Sequence, residues 1–412
     1  MSAWSLKLSI LALVVLSTQN TAAAGEKDYS ITGFGTLGIS HSDTRQADIV
    51  RDLSQDSGVG YTRQTDAGID SNLGLQINRS FSDNFDAAIQ VVSRKSADNF
   101  APTVTWAYAS YSPDDKFQLR AGRLGFDVYM LADSRNIGYS YTWVRPPIDF
   151  FGRLIVSYFD GADTVLSHPL GNGHLKAKFF YGLAREKIYL GSANKHYSLN
   201  HSALSGGHLE YQQKNWTIRA GYSELKLADD YSQFDPIVAE LTSPSITASV
   251  PASLGIADQL TTHGKKLKYT SIGAVLDHGS LQAQLMLGRI ESDSVLLQNS
   301  DAAYLTMSYR IKKWTPYATV SASRQQGADK QITTDPALSP RLKNTISGIN
   351  KQLTPNGQQT FTAGIRYDLG DNANIKVQFD HIRSQKHFLV RNPQEGWDGH
   401  ANLLSVAYNF VF

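Results

Sequence analysis

The chain has 412 residues, a formal net charge of +2, no cysteine, 20 tyrosines and 32 glycines. The near-neutral balance argues against a nucleic-acid partner, and the lack of cysteine excludes a disulfide framework. No apolar run after the first 24 residues approaches the roughly 18 that a membrane-spanning helix needs.

The N-terminus reads as a secretory signal over residues 1–24. Lys7 stands in a short basic region, "LSILALVVLS" is the apolar stretch, and Ala22-x-Ala24 suits a signal peptidase that would leave Gly25 first. An exported chain with cysteine available to it has used none, so its stability must come from elsewhere. No Pro-, Ser- or charge-rich linker divides the remainder, and 25–412 is expected to form a single domain.

Beyond the signal the chain alternates with period two. In "YSITGFGTLGIS", Tyr29, Ile31, Leu37 and Ile39 share one face, and Thr32, Thr36 and Ser40 the other. Next comes a hairpin, in which Leu73, Leu75 and Ile77 and then Phe85, Ala87, Ile89 and Val91 lie on one face across Ser82-Asp83-Asn84. The same plan recurs to the end of the chain, near 29–40, 71–81, 85–94, 103–112, 117–124, 155–168, 174–184, 205–213, 216–225, 266–277, 280–290, 301–311, 314–323, 359–369, 373–383 and 400–412. That makes sixteen strands, an even number, and predicts an all-β, transmembrane antiparallel β-barrel. In the sixth, Asp160-Gly161 interrupts the alternation and predicts a bulge.

The connections alternate in length. Tight turns at Ser82–Asn84, Pro113–Lys116, Gly171–Gly173, Lys214-Asn215, Asp277–Gly279, Lys312-Lys313 and Gly370–Asn372 interleave with long segments at 41–70, 95–102, 125–154, 185–204, 226–265, 291–300, 324–358 and 384–399. Short turns belong on the periplasmic side and long loops outside. Phe81, Phe85, Phe117, Trp216 and Trp314 sit beside the short turns, where amphipathic rings mark the headgroup level.

With these strands and the closing run Leu404, Val406, Tyr408, Phe410, Phe412, the sequence resembles the Gram-negative general porins. The resemblance implies a homotrimer in the bacterial outer membrane, in contact with lipid and lipopolysaccharide. It also implies a C-terminal strand read by the barrel-assembly machinery, and a loop after strand five that folds into the barrel. That loop would be 125–154, which carries Asp127, Asp133, Arg135, Arg145, Asp149 and Arg153 among several aromatics.

A porin acts through the width and charge of its lumen. Strand parity directs Arg94, Arg120, Lys176, Lys178, Arg219, Lys268, Arg310, Arg366 and Lys376 inward against Asp86, Glu210, Asp368 and Asp380, which predicts mild anion preference. Lys176, Lys178, Arg310, Arg366 and Lys376 lie near short turns and suit a vestibule or snorkelling role. The constriction is therefore assigned to Arg94, Arg120, Arg123, Asp127, Asp133, Arg135, Arg145, Arg153 and Arg219, with Arg94 and Arg120 facing Asp127 or Asp133. A substrate-specific channel is the alternative, with Tyr139, Tyr141 and Trp143 as a stacking slide for sugars or with a site for a small organic anion. A barrel enzyme is remote, because neither G-x-S-x-G nor H-E-x-x-H occurs. No cofactor and no metal is expected.

Overall fold

The computed structural model describes residues 29–97, 99–154, 156–189, 196–327, 330–353, 355–385 and 389–412. The signal segment 1–24 lies outside the described residues. Sixteen long strands form one closed antiparallel sheet. In chain order they are β1 (Tyr29–Ser42), β2 (Asn72–Ser82), β3 (Phe85–Ser96), β4 (Asn99–Tyr111), β5 (Phe117–Gly125) and β6 (Tyr158–Leu170). The sheet continues through β7 (Gly173–Ala184), β8 (Ala203–Gln213), β9 (Trp216–Lys226), β10 (Lys266–His278) and β11 (Leu281–Ser292). The circuit ends with β12 (Asn299–Tyr309), β13 (Trp314–Gln326), β14 (Gly357–Asp368), β15 (Ala373–Gln385) and β16 (His400–Val411).

Closure is made by β1, which pairs with β2 from Tyr29↔Arg79 to Thr36↔Asn72 and with β16 from Phe34↔Val411 to Ser42↔Leu403. Phe412 is tied down as well: its amide donates to Gly33 O at 2.9 Å and its carbonyl accepts from Gly33 N at 2.8 Å. Closing the sheet leaves no row of unpaired backbone groups in hydrocarbon, where each would cost several kcal/mol. Side chains fit the seam, since a Cβ at Gly33 would lie 2.2 Å from the Phe412 ring and one at Gly35 2.5 Å from the Phe410 ring.

The alternation sorts as expected. Ile31, Leu37, Ile39, Leu404, Val406 and Tyr408 are exposed on the outer wall, whereas Thr36, Ser40, Ser405 and Asn409 are buried within. At the short-turn end, Phe81, Phe85, Trp216 and Trp314 are exposed on the outside, with the Phe81 and Phe85 rings 5.8 Å apart. These rings form the aromatic belt.

Two expectations change. Segment 95–102 is a tight hairpin, because β3 and β4 continue to Ser96 and Asn99. The pairing of β6 with both neighbours is unbroken through Asp160-Gly161; the register shifts lie instead at Gln90/Val91 and Ser80/Ser82. The alternation breaks at Gly161 for a packing reason, because a Cβ there would meet Tyr181 O at 2.2 Å and Gly182 Cα at 2.6 Å. The long segments 226–265 and 324–358 are structured. They carry helices Asp235–Leu241, Pro244–Ser249, Ser253–Gln259 and Pro340–Gln352, which bury Leu241, Ile256, Leu342 and Ile346 at the long-loop end of the barrel.

Gly122 in β5 is held at φ +132°, and a Cβ there would lie 2.3 Å from Ala107 O and 2.8 Å from Tyr108 Cα. Gly122→Ala is expected to destabilise the barrel by about 1–3 kcal/mol, because an L side chain disfavours this backbone and the neighbouring strand cannot yield. Gly171→Ala, also at positive φ but with open space around it, is expected to cost less. The midpoint of the heat-induced mobility shift on gels checks the pair, and equal midpoints would contradict this account.

Candidate functional site: the inserted loop and an arginine cleft

β5 ends at Gly125, and the chain then turns into the lumen. The Phe126 amide donates to Ser157 O at 2.9 Å, which closes the neck of the loop. Between these points lies a small core: Val128, Tyr129, Trp143, Val144, Ile148 and Phe150 are all buried. Phe150 packs edge-on against Tyr304 of β12 at 5.2 Å, and Trp143 against the same ring at 5.9 Å. A loop so rich in aromatics gains more by coating the inner wall than by standing in water.

Polar bonds fix its position. Lys376 Nζ donates to the carbonyls of Gly138, Tyr141 and Trp143 at 2.5, 2.5 and 2.8 Å. Arg366 Nη1 donates to Tyr139 O at 2.7 Å, and the Tyr139 hydroxyl reaches Asp371 O in a short turn at 2.7 Å. Trp143 Nε1 donates to Thr319 Oγ1 at 2.9 Å. On the other flank, Arg219 Nη1 donates to the carbonyls of Asp127 and Tyr129 at 3.1 and 3.0 Å, while its Nη2 pairs with Glu210 at 2.5 Å. Lys376 and Arg366 are therefore anchors for the loop, not vestibule or snorkelling residues.

The lumen is left asymmetric. Thr319, Thr362, Gln378 and Ser405, on the inner faces of β13 to β16, are at most 3% exposed because the loop lies on them. Across the barrel, Gln76, Asn78, Trp106, Tyr108 and Arg120 on β2 to β5 stay half-exposed. Asp133 on the loop is exposed.

A cleft of about 70 Å³ lies at the loop's upper edge, lined by Arg51, Arg94, Arg135 and Arg145 together with Asp52, Asp70 and Glu186. Arg51 Nε holds Asp52 at 2.8 Å, and Arg94 Nη1 stands 3.9 Å from the same carboxylate. Arg94 also reaches Asn136 Oδ1 at 3.3 Å and Ser157 Oγ at 3.4 Å. Arg135 donates to the Tyr129 hydroxyl at 2.8 Å. Burial would raise the Asp52 carboxyl, but Arg51, Arg94 and the Ser54 hydroxyl outweigh it and hold the group far below the usual range.

Of the residues assigned to the constriction, Arg94 and Arg135 share this cleft, and Asp133 is exposed on the loop. Arg145 borders the cleft but is sealed: its side chain is 1% exposed, 2.6 Å from Asp70 and 3.4 Å from Asp380, with Nη2 on Ser40 and Ser405. It latches the loop to β1, β15 and β16. Arg153 is buried against Asp301 O at 2.8 Å and Ser300 Oγ.

Arg120 and Arg94 do not share a ring. Their partners on neighbouring β4 are Ser110 and Ala101, nine residues apart and so separated by about 30 Å along the strand. Arg120 is instead bidentate to Asp163 at 2.9 and 2.6 Å, and Lys178 Nζ bridges Asp163 and Asp127 at 2.9 and 2.7 Å. Asp127 thus serves Lys178, which offsets the pull of burial and lowers its pKa. Arg123 does not line the pore: it lies on the outer parity of β5 with exposed Leu119, paired with Asp160 at 2.7 Å and stacked 4.8 Å from Tyr158. Lys268 likewise shares its parity with exposed Ile272, outward. Tyr141 and Trp143 are buried and Tyr139 is engaged with a turn, so the three form no sugar slide.

Sequence reasoning missed Asp163, hidden in the irregular sixth strand, and missed Arg51, Asp52, Asp70 and Glu186, which arrive from other loops. The three loop carboxylates, with Asp127 and Asp163, erode the nine-to-four basic excess read from strand parity.

Residues 11–387 match the family of Gram-negative porins. The chain belongs to that family. The porin is an outer-membrane channel for small solutes. Solved structures share its fold at low identity. An anion-selective porin from Comamonas acidovorans is 13% identical with a TM-score of 0.53, over 93% of this chain and 100% of that one. Salmonella typhi OmpF in complex with daunomycin is 11% identical with a TM-score of 0.56, over 93% and 97%. The outer membrane channel DcaP of Acinetobacter baumannii is 9% identical with a TM-score of 0.54, over 95% and 99%. No curated protein sequence matches the porin significantly.

Burial pushes the porin's Glu186 carboxyl above its ordinary range, against the opposing pull of Arg135 and the Ser157 amide. On acidification Glu186 therefore takes up a proton before a free glutamate does. The cleft then has four guanidiniums against two carboxylates instead of three. Anion selectivity is expected to rise as pH falls toward 5, whereas Glu186→Gln should already sit at the acid value and lose that step. Salt-gradient reversal potentials between pH 8 and 5 check this, and identical titrations would contradict it.

Proposed function

We propose that small hydrophilic solutes and ions diffuse passively through a slot between the inserted loop and the inner faces of β2 to β5, entering past the arginine cleft with mild anion preference. The observation that carries this is the asymmetry of the lumen: Thr319, Thr362, Gln378 and Ser405 are buried where the loop lies, whereas Gln76, Asn78, Tyr108 and Arg120 opposite it are half-exposed. The preference rests on four arginines and Lys187 against three carboxylates at the cleft. Transport of this kind forms and breaks no bonds, and we assign the protein no enzymatic activity.

We assign a homotrimer, as in the Vibrio cholerae outer membrane protein OmpT, solved in a trimer form, which is 11% identical with a TM-score of 0.51 over 94% of this chain and 100% of that one. Its apolar outer wall would face lipid and lipopolysaccharide, and the β16 run from Leu404 to Phe412 would be the segment read during assembly.

Arg94→Glu tests the selectivity. It replaces one positive charge at the cleft by one negative, so a reversal potential that favours chloride is expected to move to or past zero in a potassium chloride gradient. An unchanged potential would sink the assignment. Arg120→Glu should act mainly on folding, since it sets a second carboxylate against Asp163.

A further inference from the structure

On the wall that the loop leaves uncovered, Trp106 and Tyr108 of β4 stand two residues apart on the inner face, both half-exposed, with ring centroids 6.5 Å apart. Irregularities in the sheet put them there. The register shift at Gln90/Val91 gives β4 one extra residue, so that Thr105 and Trp106 both meet Gln90, and Thr105 Oγ1 donates to Gln90 Oε1 at 2.8 Å. A bulge of this kind re-aims a side chain. On β5, a Cβ at Gly125 would lie 2.8 Å from Trp106 Nε1, and Gly122 is paired with Tyr108, so glycines leave room beside both rings.

The polar groups around the rings are neutral. Trp106 pairs across the sheet with Gln90 and Gln90 with Gln76, while Tyr108 pairs with Ala88 and Ala88 with Asn78. Gln90 Nε2 donates to Gln76 Oε1 at 2.9 Å and Gln76 Nε2 to Asn78 Oδ1 at 2.8 Å, which orders the three amides in a chain. Charge begins one row lower, with Asp86 and Arg120. Arg120 lies 5.1 Å from the Tyr108 ring, but Asp163 already holds it through two bonds.

We infer that Trp106 and Tyr108 form a stacking site for pyranose sugars within the slot. This rests on the slot proposed above and names its preferred solute. A pyranose presents C–H bonds on one face and hydroxyls around its rim, and the C–H face suits an aromatic ring, whose own face carries negative charge. The hydroxyls meet Gln76 and Asn78, whose amides both donate and accept. An organic anion gains little here, because the neighbouring guanidinium is already paired. An open-chain polyol has the hydroxyls but no rigid apolar face.

Stacking on one ring is worth about two- to tenfold in affinity. The test is the potassium chloride current of the reconstituted wild-type porin titrated with glucose, with sorbitol, its open-chain polyol, as control. Glucose is expected to reduce the current saturably, with a half-blocking concentration about fivefold or more below that of sorbitol. The double variant Trp106→Leu, Tyr108→Leu should bring the two titrations together, whereas Trp106→Phe, which keeps a ring, should retain most of the difference. Coincident titrations in the wild type, or a difference that survives the double variant, would overturn the inference while the current steps persist. The slot reading fails separately, if Asn78→Cys in the open channel resists a small charged thiol reagent, and the inference then falls with it.

Discussion

Replacing residues 133–142 by a short glycine-serine turn is expected to raise single-channel conductance about two- to threefold, because the free width of an aqueous lumen sets its flux. This tip carries Gly138, Tyr139 and Tyr141, whose carbonyls receive Lys376 and Arg366. A Cβ at Gly138 would lie 2.2 Å from Asn409 Oδ1 and 2.3 Å from Thr36 Oγ1, so the tip rests directly on the seam of β16 and β1. Without it, the inner faces of the seam and of β15 would be open to water. The strands pair with one another and not with the tip, so the barrel should still close. Lys376→Met should give a smaller and noisier increase, since three carbonyls lose one shared donor. Unchanged conductance in the shortened variant would mean that the tip does not limit the pore.

The second large effect is on stability. Arg145→Ala leaves Asp70 and Asp380 facing each other without their cation, in a site where the side chains are 2% and 6% exposed. Removing one partner of a buried pair costs about 3–5 kcal/mol, because the remaining charge stays buried. Asp380 has Thr362 Oγ1 at 2.6 Å and Gln378 Nε2 at 2.9 Å, but Asp70 keeps little besides the Ser40 hydroxyl. The heat-induced mobility shift is expected to occur at a clearly lower temperature. Adding Asp70→Asn should recover part of the loss by removing the stranded charge. A single variant as stable as wild type would show that the latch carries no weight, and failure of the second change to help would show that charge is not the reason.

The strands were legible because two properties repeat locally. Ile31, Leu37 and Ile39 alternate with Thr32, Thr36 and Ser40 whatever the rest of the chain does, and short turns recur on one side. Height along the barrel was not legible in the same way. Arg94 and Arg120 look like neighbours when only strand order is counted, but one stands near the top of β3 and the other three residues above the short turn that begins β5. Arg123, assigned to the constriction from its place next to the loop, instead lies on the outer wall beside Asp160. The position of the loop followed from resemblance and from its aromatics. Its anchors did not, because Lys376 lies more than 230 residues from the carbonyls it holds.

The central claim is that solutes pass along β2 to β5 and not along the loop-covered wall. The chain contains no cysteine, so single cysteines can be placed without background. Gln76→Cys, Asn78→Cys and Tyr108→Cys, compared with Thr362→Cys and Ser405→Cys, should be treated with a small charged thiol reagent while current is recorded through the reconstituted porin. Fast modification with a stepwise loss of current at the first three positions, and none at the last two, is the predicted result. Equal modification at Thr362→Cys and Ser405→Cys would contradict it.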